Sequence, residues 1–253
     1  MLKEDLNRLV TQVGPGTGCG KLMRQYWQPA ALTEELTGDR PVKAVTLMGE
    51  DLVIYRHGDD EYGLIGRACP HRGADLCFGR WEDGGLRCAF HGWLFDHTGK
   101  CLEQPAEPAG SNFHNKIKHT AYPCIERNGI VFTYMGTGNP PPLPAFDCFE
   151  APDAFTFAFK GFVDCNWLQL NEVGIDHSHA SFLHRFFNDE TDDEAYGQQF
   201  RFSTEENDMA ITKVLREYDC PEIEIEQTET CIRLYALRRL NDANMHVRVT
   251  NQI

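Results

Sequence analysis

Cysteine and histidine recur in this chain as two matched pairs, Cys69-Pro70-His71-Arg72-Gly73 and Cys88-Ala89-Phe90-His91-Gly92-Trp93. The pattern is C-x-H, sixteen intervening residues, then C-x-x-H. Each half lies between short β-rich runs, so each places one thiolate and one imidazole on a tight loop. Two such loops facing each other offer two sulfurs and two nitrogens. That set suits a [2Fe–2S] cluster, with one iron held by Cys69 and Cys88 and the other by His71 and His91. Gly73 and Gly92 let the backbone turn closely around it, and backbone N–H groups there can bond its sulfides. The competing reading is a structural Cys2His2 zinc site. Its inventory is the same, but the one-residue gap between Cys69 and His71 departs from the usual finger spacing.

The remaining eight of the ten cysteines (19, 77, 101, 124, 148, 165, 220 and 231) have no partner at ligand spacing. The start, Met1-Leu2-Lys3-Glu4-Asp5, is acidic where an export signal is basic and then apolar. In a 253-residue chain without such a signal, a disulfide scaffold is a poor reading, and these thiols are expected to be small packing groups. With 24 basic against 38 acidic residues the formal charge is −14, which repels phosphate and disfavours a general nucleic-acid binder. No apolar run approaches the roughly 20 residues needed to span a bilayer. The expectation is a cytoplasmic protein that engages neither nucleic acid nor membrane.

The apolar pattern divides the chain. In residues 1–40, Leu6, Leu9 and Val10 form a short helical stripe that Gly14-Pro15-Gly16 breaks, and Tyr26-Trp27 opens an extended segment. From Pro41 the runs are short and β-rich: Val42 to Leu47, Leu52-Val53-Ile54-Tyr55, a turn at His57-Gly58-Asp59-Asp60, then Tyr62 to Ile65. Further strands flank Gly84-Gly85, and Ile130 to Tyr134 is another, so 41–136 predicts a small antiparallel barrel or sandwich. Gly136 to Pro144, with three consecutive prolines, is the linker candidate. Beyond it, Phe155 to Val163 alternates like a strand and Asn166 to Phe187 reads as helix-rich. Asn188 to Glu194 is an acidic loop, and 200–253 returns to strand-like alternation. The fold class is α+β: an all-β domain over 41–145 and an α+β domain with an antiparallel sheet over 146–253.

A second constellation lies in the helix-rich stretch. Asp176, His179 and His184 form D-x-x-H-x-x-x-x-H. Asp176 and His179, three apart, share a helix face. His179 and His184 are five apart, about 140° round an ideal helix, which does not aim both imidazoles at one atom. Binding of one metal by both predicts a π-type widening or kink near Ala180 to Leu183. Read alone, the motif is a helix with surface histidines; beside the first constellation it supplies two-thirds of a 2-His-1-carboxylate site for non-haem iron(II).

The CPHRG and HGW segments resemble Rieske proteins. Cysteines that form a bracing disulfide in respiratory-chain members of that family are replaced here by Ala74 and Phe90, which resembles the oxygenase and ferredoxin branch. A Rieske centre, a linker and D-x-x-H-x-x-x-x-H in that order resemble Rieske non-haem iron aromatic-ring-hydroxylating oxygenases, closest to the phthalate 4,5-dioxygenase group. Arg24 to Pro29, Gly49 to Val53, Glu107 to Ser111 and Cys165 to Gln169 carry the same resemblance. It implies that residues 1–40 pack on the catalytic domain. It implies His179 and His184 as iron ligands, and Asp176 as the carboxylate joining His179 to His91 of a neighbouring subunit in a head-to-tail homotrimer. His177 stands where the family more often has a small hydroxyl residue.

The resemblance also implies the chemistry. O2 is the co-substrate, NADH delivers electrons through a flavin and iron–sulfur reductase, and a small aromatic carboxylate is hydroxylated to a cis-dihydrodiol. Arg185, Lys213, Arg216, Arg233, Arg238 and Arg239 include candidate clamps for its carboxylate. The alternatives are O-demethylation or monooxygenation of a methoxylated aromatic acid, and a Rieske electron-transfer protein without an oxygenase site. The third iron ligand is missing. Only 69 residues follow His184, and the family's aspartate comes much later, with Asp192 a weak substitute. The expectation is an N-terminal portion of a longer polypeptide.

Overall fold

Leu52-Val53-Ile54-Tyr55 is a continuous apolar run, and all four side chains are fully buried. A strand with one wet face would alternate; this one is covered on both faces. Val53 and Tyr55 enter one core cluster with Ile65, Leu76, Leu86, Trp93, Phe95 and the cysteines 69, 88 and 101. Leu52 and Ile54 enter another with Ala31, Leu36, Tyr62, Leu64 and Val131. The computed structural model describes residues 2–82, 84–175, 211–214, 222–227, 232–239 and 245–252. Its chain falls into two compact units, 1–162 and 163–253.

In the first unit, helices α1 (Glu4–Thr11) and α2 (Gly18–Met23) precede β1 (Trp27–Leu32). The central sheet follows as β2 (Val42–Leu47), β3 (Glu50–Gly58) and β4 (Glu61–Gly66). Then come β5 (Arg80–Glu82), β6 (Gly85–Arg87), β7 (Leu94–Phe95) and β8 (Cys101–Glu103). The all-β part closes with β9 (Ala121–Tyr122), β10 (Cys124–Arg127) and β11 (Ile130–Tyr134). Three antiparallel sheets result, ordered β2-β3-β4-β9, β5-β6-β7-β8 and β1-β11-β10. The β2-β3-β4-β9 sheet is the middle layer, its two faces feeding the two core clusters. Pro29 lies on the edge strand β1, where a missing N–H costs no central ladder bond.

The first 40 residues join this unit. β1 pairs with β11 from Trp27↔Tyr134 to Leu32↔Ile130. Arg24 donates to the carbonyls of Val13, Gly20 and Met48 and to Glu50 Oε1 at 2.8 Å. The segment sequence reading associates with the catalytic domain thus supplies a strand and an arginine tie to the β-rich unit. The proline-rich stretch is likewise held, its Pro141 carbonyl accepting from the Trp27 indole at 2.8 Å. Helix α3 (Asp147–Glu150) follows, and Phe149 packs edge-on against Phe132.

Phe155 to Val163 departs from the expected strand. A short 3-10 turn, Asp153–Phe155, leads into residues 156–163 without regular structure. Alternation makes a strand only where a neighbour pairs with it, and no described strand does so here. Phe155, Phe157, Phe159 and Phe162 are correspondingly exposed.

In the second unit, helix α4 (Trp167–Ile175) begins at Asn166, whose side chain accepts from the Leu168 N–H at 3.1 Å. Strands β12 (Ile211–Val214), β13 (Glu222–Gln227), β14 (Ile232–Arg239) and β15 (Met245–Gln252) form an antiparallel meander in that order. The strand-like C-terminal pattern and the helix start at 166–175 are therefore present. The rest of the helix-rich stretch lies outside the described residues.

Candidate functional site: a paired Cys–His loop centre

Both Cys–His segments fold into the same loop. The Cys69 N–H donates to the Ala74 carbonyl at 2.8 Å, and the Gly73 N–H donates back to the Cys69 carbonyl at 2.8 Å. At the second loop the Cys88 N–H donates to the Trp93 carbonyl at 2.8 Å, and the Gly92 N–H returns to the Cys88 carbonyl at 3.0 Å. In each, the residue four after the cysteine is a glycine with positive φ, +69° at Gly73 and +74° at Gly92. That conformation costs an L-residue with a Cβ about 1–2 kcal/mol, which is why glycine punctuates both motifs. Identical closure with histidine two residues after one cysteine and three after the other yields two loops of one shape with differently placed imidazoles.

The loops converge. Both cysteines are about 2% exposed and belong to the cluster-side core. The Cys88 thiol and the backbone N–H groups of His71 and Arg72 all bear on the Cys69 sulfur. The His71 and His91 rings meet edge to face at 4.6 Å. His71 stacks on the Trp93 indole at 4.5 Å with 4° between planes, and Phe90 covers His91 at 3.9 Å. Burial pushes the Cys69 thiol up to about 11, and Cys88 adds to the rise against the pull of the two N–H groups. Burial, His71 and Arg72 hold His91 below the ordinary imidazole value.

These groups fit an iron–sulfur centre. His71 Nδ1 is buried and has no hydrogen-bond partner among the described residues, so its lone pair is available to a metal. The buried Cys69 thiol resists ionising alone, whereas a bound cation deprotonates a coordinating thiol outright. Among the described residues no group of three or more Cys, His, Asp or Glu side chains is set to hold a single ion. A two-iron cluster asks only for a pair on each iron.

A salt bridge clamps the base of each loop. Arg67 donates to Asp75 Oδ2 through Nε at 3.0 Å and Nη2 at 2.6 Å, spanning the first. Arg87, just before Cys88, donates to Glu82 at 2.6 Å, Glu103 at 2.7 Å and the Gly92 carbonyl at 2.7 Å. Sequence reading of the motifs does not single out either arginine. Adjacency to Cys88 is the only signal of Arg87, since the reach of a long side chain is set by distant strands. Of the expected site residues, Cys69, His71, Cys88 and His91 are brought together; Asp176, His179 and His184 lie outside the described residues, as does the expected widening at 180–183.

The model of the Rieske [2Fe-2S] domain matches residues 26–123, which contain both loops and strands β1 to β9. This chain carries a Rieske domain. Among its relatives are oxygenase subunits. It is 45% identical over 180 residues to the oxygenase subunit of tert-butanol monooxygenase / tert-amyl alcohol desaturase from Aquincola tertiaricarbonis, covering 70% of this chain and 38% of that one. It is 40% identical over 188 residues to the 5,5'-dehydrodivanillate O-demethylase oxygenase subunit of Sphingobium, covering 73% and 44%. It is 40% identical over 189 residues to the phthalate 4,5-dioxygenase oxygenase subunit of Pseudomonas putida, covering 73% and 42%. The Rieske chain thus spans about two-fifths of the length of these curated relatives. In fold it is similar to dicamba monooxygenase, with a TM-score of 0.65 and 22% identity over 90% of this chain and 72% of that one.

Proposed function

We propose that this chain belongs to the oxygenase component of a Rieske non-haem iron system, with Cys69 and Cys88 holding one iron of the cluster and His71 and His91 the other. The observation that carries the reading is the convergence of two identically closed loops on buried thiols and an unpartnered His71 nitrogen. Bound there, the cluster supplies one-electron transfer. The protein's part is to fix the pair geometry. Trp93 sets the plane of His71, Phe90 shields His91, and Gly73 and Gly92 bring backbone close. Those contacts limit rearrangement when an electron arrives or leaves.

Asp176, His179 and His184 are proposed as the second site. The two imidazoles would hold a mononuclear iron(II), which would supply O2 activation, and Asp176 would be the carboxylate between His179 and a cluster histidine. A carboxylate between two imidazoles fixes both tautomers and gives a short bonded path for one electron. The same reading includes a homotrimeric ring, a separate flavin and iron–sulfur reductase fed by NADH, and a cytoplasmic location. Among the described residues no helix is long and apolar enough to cross a membrane.

For the substrate we propose a small aromatic carboxylate, dihydroxylated as in the phthalate 4,5-dioxygenase group. Monooxygenation stands beside it, because the relatives include an O-demethylase and a tert-butanol monooxygenase at equal or higher identity. Turnover with labelled O2 separates them: two labelled oxygens in a diol mark dioxygenation, and released formaldehyde marks demethylation. His179→Ala and His184→Ala should each abolish product while leaving the cluster signal intact. Unchanged function in both would leave an electron-transfer protein instead.

A further inference from the structure

The two cluster loops are braced differently. Arg67 closes the first loop at its base through Asp75, and its side chain is about two-fifths exposed. Arg87 reaches inside the second. Its side chain is only 12% exposed, and its fork makes three charge-assisted bonds, one of them to the carbonyl of Gly92, the neighbour of His91. The acceptors come from three places in the fold: Glu82 on β5, Glu103 on β8 and the turn of the loop itself. Gly92 donates in turn to the Cys88 carbonyl. One guanidinium therefore ties together both residues that flank the loop's ligands. The planar fork suits this better than any other side chain, because it presents several donors in fixed directions.

We infer that Arg87 is a positioning residue of the Rieske centre, fixing the His91 turn through Gly92 and setting a cationic charge at that edge of the cluster. This rests on the proposal that Cys88 and His91 are cluster ligands. The consequence is electronic as well as geometric. Reduction adds one electron and so one negative charge to the cluster, and a neighbouring fixed cation favours the reduced form. Glu82 and Glu103 oppose Arg87, and Arg80 also pairs with Glu82 at 3.0 Å, so each charge in this group trims the balance.

The test uses the whole protein, with iron and sulfide content, EPR of the reduced state and a redox titration of each variant. Arg87→Met keeps the length and removes the charge and the donors. It should retain the cluster and shift the one-electron equilibrium about tenfold toward the oxidised form, which is about 59 mV lower in midpoint potential. Its EPR line shape should change as the His91 turn relaxes. Arg87→Lys should recover most of the potential but not the line shape, since a point charge replaces the fork. Glu103→Gln should move the potential the opposite way. A loaded Arg87→Met protein with the wild-type potential and line shape would overturn the inference. If Arg87→Met does not load, the Arg87→Lys line shape and the Glu103→Gln potential decide, and wild-type values in both would overturn it. Iron and sulfide absent from the wild-type protein would overturn the ligand assignment first.

Discussion

Glu35 shows how a single side chain fastens separate stretches of this molecule. Its carboxylate accepts from Lys160 Nζ at 2.6 Å, from Lys43 and from the backbone N–H of Leu32. Burial alone would raise its pKa; the two ammonium groups and the N–H overcome that and hold it at about 2. Because the folded value lies below the ordinary 4.5, the stabilisation is full above about pH 4.5 and is lost as pH falls toward 2. The urea midpoint of the wild type should therefore exceed that of Glu35→Gln at about pH 6, with the gap shrinking toward about pH 3. A gap that does not depend on pH would contradict the charge pairing. At this scale the sequence was most legible where chemistry demands a residue type at a fixed spacing, as for Cys69, His71, Cys88 and His91. It was silent on Glu35, Arg67 and Arg87, each of which has a partner at least 8 positions away along the chain, 125 at the farthest.

Elements were readable where local pattern and tertiary pairing agree. β11 falls at the expected Ile130 to Tyr134, and β3 and β4 meet at the expected turn after Gly58. The Phe155 to Val163 alternation misled because no described strand pairs with it, and its phenylalanines are exposed. The paired loops allow a graded test of element geometry. An added Cβ at Gly73 meets nothing within 4 Å, whereas at Gly92 it meets Pro105 Cγ at 3.2 Å. Both positions have positive φ, so Gly73→Ala should cost about 1–2 kcal/mol. Gly92→Ala should cost more, because Pro105 must also give way. Cluster retention during thermal unfolding should rank wild type above Gly73→Ala above Gly92→Ala; the reverse order of the two variants would show that Pro105 does not confine the second loop.

For the whole molecule, one sheet with two buried faces explains how a metal centre and a stable scaffold share a small β-rich unit. β3 and β4 send alternate side chains to a scaffold core and to the core that contains Cys69 and Cys88. The thiols are thereby fixed by packing, while the histidines sit nearer the surface at the loop tips. With the proposed ligand pairs, that asymmetry would anchor one iron in the core and leave the other near the surface. The α+β organisation was legible as a whole because strand-rich and helix-rich patterns occupy separate stretches. The Asp176, His179 and His184 site is legible only as a motif, because the elements that would aim those side chains lie outside the described residues.

The most direct measurement of the central claim is iron and acid-labile sulfide per chain, with EPR of the dithionite-reduced protein. The paired loops predict two irons and two sulfides for the Rieske centre with a Rieske-type signal, and one further iron where the second site is filled. Zinc without sulfide would contradict the account.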